Sequence, residues 1–96
     1  SLERLRTAAR IDRLVPLVDL DKGFQSSDLE VAALAYQQSY SIVHYLAKKY
    51  GFYRLRRVLE QLGQDVSFED ALKHEFRLTV PQLEKRWKRW LPGFVR

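Results

Sequence analysis

The chain has 96 residues, of which 46% are hydrophobic and 30% are charged, with a formal net charge of +5 and no cysteine or methionine. This length suits one domain, and the composition is that of a globular rather than a disordered chain. The lack of cysteine excludes disulfide bonds, thiolate–zinc sites and thiol nucleophiles, although it leaves the cellular compartment open. The lack of methionine leads us to expect a piece of a longer protein.

The first predicted element is a helix from Ser1 to Asp12, with Ser1 as its cap and arginines along its outer side. A connector over residues 14–24 follows. In it Pro16 disfavours helix at the preceding residue, and Gly23 marks a turn. A short helical turn is predicted within the connector at residues 17–20.

The longest predicted element is a central helix over about residues 28–50, ended by Gly51. Its cap is one of Ser26, Ser27 and Asp28. Apolar residues cover most of its circumference, which is typical of a helix in the middle of a bundle. One stripe consists of Leu29, Ala33, Tyr36, Tyr40, Val43, Ala47 and Tyr50, and a second of Val31, Leu34, Ala35, Ile42, Tyr45 and Leu46. The polar strip consists of Gln37, Ser41, His44 and Lys48. The apolar-rich stretch over residues 31–46 is not a membrane span, because it is interrupted by Gln37, Gln38, Ser39, Ser41 and His44.

Three shorter helices are predicted after the central one. The first spans Phe52 to Leu62 and is ended by Gly63, the second is capped by Ser67, and the third begins at Thr79 and is stopped by Pro92-Gly93. Their predicted inward residues are Phe52, Leu55, Val58, Leu59 and Leu62, then Ala71, Leu72 and Phe76, and finally Val80, Leu83, Trp87, Trp90 and Leu91. The sequence therefore predicts an all-α fold, a compact bundle of four to five helices forming a single domain over residues 1–96.

Residues suited to catalysis or metal binding are few. The two histidines, His44 and His74, have no second histidine four residues away, so we predict no metal site and no cofactor in this chain. Ser41 lies three residues before His44, but no aspartate is placed to orient the imidazole, which disfavours a catalytic triad. Both histidines are interpreted as solvated helix residues.

Basic residues cluster at two places and leave a second class of function open. Lys48, Lys49, Arg54, Arg56 and Arg57 surround Gly51, and a second cluster spans residues 85–89. Such clusters are typical of a module that binds nucleic acid or a protein partner, or of solvated helix faces. The helix before Gly51 is too long and too apolar for a typical helix–turn–helix reader, so nucleic-acid binding is the less favoured hypothesis.

Tyr36 is the one candidate catalytic residue, within the run Ala35-Tyr36-Gln37-Gln38-Ser39. A phenol on an apolar helix face can donate one directed hydrogen bond. Periodicity alone favours the other hypothesis, a packed core tyrosine whose hydroxyl is satisfied.

Residues 14–91 resemble the C-terminal helical part of the gluzincin, or thermolysin-like, zinc peptidases, and above all the bacterial peptidase MA-like group. Five pieces occur in the order known from that group. They are Leu17-Val18-Asp19-Leu20 with Phe24, the run from Ala35 to Ser39, Tyr45-Leu46 with Tyr50-Gly51, Ser67-Phe68-Glu69-Asp70-Ala71-Leu72, and Leu83-Glu84-Lys85-Arg86-Trp87. Arg77 departs from the pattern, because it stands where the family usually has glycine or another small residue.

This resemblance implies that the chain is the C-terminal piece of a larger metallopeptidase-like domain. Zinc, the general base and the His-Glu-x-x-His helix are expected upstream of Ser1, in the same polypeptide. In related aminopeptidases a tyrosine at the equivalent of Tyr36 donates a hydrogen bond to the developing oxyanion of the peptide substrate. The resemblance therefore implies a helical subdomain that is inactive alone, lines the active-site cleft and presents Tyr36.

Overall fold

The computed structural model describes residues 2–96, so the predicted cap Ser1 lies outside the described residues. Those residues form six α-helices and one 3-10 turn, without a strand. The helices are α1 (Glu3–Arg10), α2 (Leu20–Phe24), α3 (Leu29–Tyr50), α4 (Phe52–Gly63), α5 (Phe68–Phe76) and α6 (Val80–Val95), and the 3-10 turn is Leu17–Asp19. The all-α class is confirmed. The count exceeds the predicted four to five because the connector after α1 contains a helix of its own.

The starts of three helices are fixed by side-chain caps, as predicted. The side chain of Asp28 accepts a hydrogen bond of 2.9 Å from the backbone N–H of Glu30 at the start of α3. Ser67 caps α5 in the same way. At α6, the Thr79 hydroxyl accepts from the backbone N–H of Gln82, whose side chain accepts from the backbone N–H of Thr79. These reciprocal bonds satisfy donors that a helix start leaves unpaired.

Two predicted turns are helical instead. Gly23 is buried within α2, where a Cβ atom added to it would lie 2.9 Å from the Cβ of Ala35, so this glycine permits a close approach between α2 and α3. Pro92 lies inside α6, which continues to Val95. Proline removes one helical hydrogen bond, but burial of Val95 and partial burial of Phe94 favour continuation of the helix.

The core is formed by one side of α3 and the inner sides of the other helices. The second apolar set of α3 is the buried one, with Leu34, Ala35, Ile42, Tyr45 and Leu46 all nearly inaccessible. Much of the first stripe faces outward instead, with Leu29, Tyr36, Tyr40 and Val43 between 44% and 81% exposed. The predicted position of α3 in the middle of a bundle therefore holds for only one side of this helix. The other helices surround only part of the circumference of α3.

The inner side of α4 is also narrower than predicted. Leu55 and Val58 are buried, whereas Phe52, Leu59 and Leu62 are exposed. The inward residues of α5 and α6 are confirmed more fully, with Ala71, Leu72, Phe76, Leu83, Trp87 and Leu91 buried, and Val80 and Trp90 half-buried.

The first and last helices meet in the fold. Helix α1 packs against α6 and α3, while α2 and α4 pack along α3, and α5 packs against α4. The resulting bundle measures 32 × 30 × 22 Å. Over residues 2–96, no helix combines the length and the apolar character that crossing a bilayer requires.

Candidate functional site: the Tyr36 face of α3

The run from Ala35 to Ser39 places consecutive side chains on different sides of α3. Ala35 points into the core, where its methyl group meets the bare backbone of Gly23 in α2. Gln38 is also fully buried. Tyr36 lies between these two residues in sequence, and the rotation of about 100° per residue carries it to the outside of the bundle.

The two glutamines of this run hold the chain that precedes α3. The Gln38 side chain accepts a hydrogen bond of 2.7 Å from the backbone N–H of Val15 and donates one of 2.8 Å to the carbonyl of the same residue. The Gln37 side chain accepts a bond of 3.0 Å from the backbone N–H of Leu5 in α1. Both amides therefore pair with backbone groups that have no partner within a helix. They fix α3 relative to α1 and to the connector at Val15.

Tyr36 is exposed and oriented by one aromatic contact. Its side chain is 63% accessible, and its ring lies 4.9 Å from that of Phe24 at the end of α2, at an angle of 39°. Among the described residues its hydroxyl has no hydrogen-bond partner. The hypothesis of a packed core tyrosine with a satisfied hydroxyl is therefore wrong. What remains is a phenol held at one edge and available to donate to a group outside this chain.

An apolar groove is lined in part by Phe24, the residue whose ring contacts Tyr36. It has a volume of about 510 Å³ and runs between α2, α3, α4 and α5. Residues that line it include Val18, Phe24, Ser39, Val43, Leu59 and Phe68. Its size and apolar lining suit side chains of a polypeptide.

Ser41 was predicted in the polar strip of α3, but it lies in the core. It is fully buried, and its hydroxyl accepts a bond of 2.9 Å from the indole N–H of Trp87 and donates one of 2.8 Å to the carbonyl of Gln38. His44 is exposed and packs instead beside Tyr40 and Phe94. Serine and histidine thus face different environments, and the disfavoured triad is absent. The signal for burial was the spacing of Ser41 from Leu34, Gln38 and Tyr45, which places all four on one side of the helix.

The described side chains do not fit a zinc ion. No cluster of three or more His, Cys, Asp or Glu residues is arranged to hold a metal within residues 2–96. His44 and His74 lie on different helices and are both exposed. The chemistry that can be assigned to this face is that of the Tyr36 phenol and the groove beside it.

The basic cluster around Gly51 is divided between paired and unpaired cations. Arg54 donates to the backbone carbonyl of Glu75, and the Arg57 guanidinium lies 3.1 Å from the Glu75 carboxylate. Contact with Tyr53, and then with Glu75, raises the pKa of Arg57 above its ordinary value. Lys48 and Lys49 are exposed and have no acidic partner among the described residues. The interpretation as a solvated face therefore applies to three of the five cations, Lys48, Lys49 and Arg56.

Comparison with known proteins identifies the family. The model of the Peptidase MA superfamily matches residues 3–93, which is nearly the whole chain. No curated protein and no solved structure matches significantly. This helical chain belongs to the Peptidase MA superfamily.

Proposed function

We propose that this chain is the helical part of a zinc-peptidase-like domain, in which the outer face of α3 lines the substrate cleft and Tyr36 acts on the substrate. Zinc and the general base would be supplied by residues upstream in the same polypeptide. The observation that carries the proposal is the exposure of Tyr36 between residues that are held by packing or hydrogen bonds, namely Ala35, Gln37 and Gln38.

The exposed apolar side of α3 supports the proposal that another protein segment or a ligand covers this side in the longer protein. Leu29, Tyr36, Tyr40 and Val43 form an outward stripe along a helix that is otherwise the centre of the fold. Contiguous exposed apolar residues commonly mark a surface that contacts another protein segment or a ligand. The upstream part of the domain, together with a bound peptide, would cover this stripe.

The proposed role of Tyr36 is stabilisation of a developing negative charge. During attack on a peptide bond, the carbonyl oxygen becomes an oxyanion, and a neutral phenol aimed at it donates a hydrogen bond that is strongest in the transition state. The contact with Phe24 restricts the ring, so that less freedom is lost when this bond forms. The groove that Phe24 helps to line would accept an apolar side chain of the same peptide.

Replacing the phenol in the longer protein tests this role. We expect Tyr36→Phe to lower kcat by roughly 10²–10³-fold, as is typical when one oxyanion donor is lost, with KM nearly unchanged. Tyr40→Phe is the matched control, because Tyr40 lies one turn along the same exposed stripe and should retain full turnover. Unchanged kcat in Tyr36→Phe would exclude the transition-state role.

A second experiment tests where the metal ligands lie. We expect zinc titrated into the 96-residue chain to give no stoichiometric heat in calorimetry, since its side chains do not form a ligand set. The coding sequence should contain a His-Glu-x-x-His motif within roughly 100 residues upstream of Ser1. Stoichiometric zinc binding to this chain, or the lack of such a motif upstream, would contradict the proposed division of the domain.

A further inference from the structure

The corner between α3 and α4 combines exposed aromatic rings with a concentration of positive charge. Residues 48–57 include five Lys or Arg and three aromatic residues, with no Asp or Glu. The proposed peptidase role uses none of them. We refer to residues 48–57 as the Gly51 corner.

Gly51 makes this corner sharp. It is the single residue between α3 and α4, and its φ of 91° with ψ of 153° is a conformation that essentially only glycine adopts without strain. Because no loop separates the helices, the first two residues of α4 stand at the outer edge of the turn. Phe52 and Tyr53 are 69% and 65% exposed, although the next apolar residue, Leu55, is buried.

Three of the five cations at the Gly51 corner lack acidic partners in the part of the chain that the structure describes, whereas Arg54 and Arg57 pair with Glu75. Lys48, Lys49 and Arg56 are exposed and form no ion pair within the described residues. The N-terminus of α4 adds to the positive potential, since it has no side-chain cap and no acidic residue in its first turn. On the neighbouring α6, Arg86 donates a hydrogen bond of 3.2 Å to the Tyr50 hydroxyl, which brings a further cation to the same end of the bundle.

We propose that the Gly51 corner is a peripheral binding surface for anionic lipid bilayers. Phe52 and Tyr53 enter the headgroup region, while Lys48, Lys49 and Arg56 bind lipid phosphates. Exposed aromatic rings flanked by cations are the combination that an interfacial membrane contact uses, because the rings leave water and the cations meet a negative surface.

Two features of the bundle favour a bilayer over a nucleic acid as the partner of the corner. Single-stranded nucleic acids bind in basic grooves with rings arranged as stacking platforms. The groove beside Phe24 is instead apolar, its charged lining residues are Asp21 and Glu69, and it includes none of the cations of the corner. At the corner, the Arg57 guanidinium already lies over the Tyr53 ring at 6.0 Å, which leaves that ring less free to stack on a base.

Vesicle co-sedimentation of the 96-residue chain tests the proposal. We expect binding to vesicles of phosphatidylcholine and phosphatidylglycerol at a 3:1 ratio in low salt, and little binding to phosphatidylcholine alone. Binding should weaken steeply as salt rises, because screening shortens the range of the attraction. Equal binding to both vesicle types, or to neither, would overturn it.

Paired variants separate the contributions of charge and aromatic rings. Each cation near an anionic surface raises the membrane partition coefficient about fivefold. The double variant Lys48→Gln with Lys49→Gln should therefore lower this coefficient about 25-fold. Phe52→Ser with Tyr53→Ser should lower it about tenfold while the charge is kept. The controls are Lys22→Gln with Lys88→Gln, which removes the same charge elsewhere, and Val18→Ser with Leu29→Ser, which removes apolar side chains that are equally exposed elsewhere.

The controls also define how the proposal fails. If Lys22→Gln with Lys88→Gln weakens binding as much as the corner variant, net charge alone is responsible. If Phe52→Ser with Tyr53→Ser leaves vesicle binding unchanged, or if the chain prefers a single-stranded oligonucleotide to vesicles, the corner is a general polyanion surface. Circular dichroism melting of each variant must match the parent chain, so that loss of binding is not loss of fold.

Discussion

Among residues 2–96, three residues other than glycine adopt a left-handed backbone, and each lies just after a helix. They are Asp12, Asp65 and Arg77, with φ between 57° and 64°. Aspartate tolerates this region better than most residues because its short side chain can hydrogen-bond locally. Arg77 has no such advantage, and it terminates α5 with φ 58° and ψ 36°. The small residue that the resemblance leads us to expect here agrees with what the backbone favours.

Arg77→Gly should therefore stabilise the chain. We expect a gain of roughly 0.5–1 kcal/mol in the free energy of unfolding, because glycine removes the steric cost of the left-handed conformation but adds entropy to the unfolded chain. Urea unfolding followed by circular dichroism measures the change. The matched control is Lys73→Gly, an exposed helical position in α5, which should cost about 1 kcal/mol. A loss of stability in Arg77→Gly would show that the arginine side chain has a structural role.

At the scale of helices, α2 and α3 pack closely because Gly23 has no side chain. The backbone of Gly23 approaches the Cβ of Ala35 so closely that a methyl group has no room. Small residues on both sides of a contact allow helices to approach in this way. The same contact brings Phe24 to the ring of Tyr36. The position of the candidate catalytic residue thus depends on a glycine in a neighbouring helix.

Gly23→Ala should push the two helices apart. Overpacking of this kind costs roughly 1–3 kcal/mol of unfolding free energy. Ala35→Gly alone should cost about 1 kcal/mol through helix propensity. The double variant should be more stable than the sum of the single effects, since the added methyl group then occupies the space of the removed one. Additive effects in chemical denaturation would show that the close approach is not responsible.

The beginnings of the helices were predictable, and the orientation of α3 was not. Asp28, Ser67 and Thr79 cap their helices through local hydrogen bonds, so a short stretch of sequence is enough to locate each start. The end of α6 was missed because burial of Val95 outweighs the local effect of Pro92. Which side of α3 is buried depends on the helices that pack against it. Because apolar residues lie around most of α3, the sequence alone did not distinguish the buried side from the exposed one.

Much of the candidate site came from resemblance rather than from spacing. The periodicity of α3 favoured a buried Tyr36, because Tyr36 belongs to an apolar stripe. The structure places it outside and buries Gln38 and Ser41 instead. Buried polar residues are hard to recognise in a sequence, since their partners, here Val15 and Trp87, lie far along the chain.

The whole bundle is closed by contact between its first and last helices. Leu5 of α1 is fully buried, although α1 is only eight residues long and would not be stable in isolation. Its position is fixed by packing against α6 and α3 and by the hydrogen bond to Gln37. We therefore expect the chain to unfold as one cooperative unit.

Leu5→Ala should weaken the entire fold rather than release α1 alone. The expected loss is roughly 2–4 kcal/mol, the usual cost of such a cavity in a core. Urea transitions followed by circular dichroism and by the fluorescence of Trp87 and Trp90 should shift together. Ile11→Ala is the control, because Ile11 is 58% exposed just after the same helix and should change stability by less than about 0.5 kcal/mol. Separate transitions for the two signals would show that α1 unfolds independently.

The neighbouring amides Gln37 and Gln38 bind two different earlier segments of the chain. A residue inserted into the first two turns of α3 would rotate everything beyond it by about 100° relative to everything before it. If Gln37 and Gln38 kept their hydrogen bonds, the start of α3 around Leu29 would rotate relative to the rest of the bundle. If the two glutamines rotated instead, those hydrogen bonds would break and Tyr36 would move away from Phe24. Natural variation in length is therefore expected in residues 25–28 and 63–66, outside α3, and a relative with an insertion between Leu29 and Gln38 should have lost the geometry of this face.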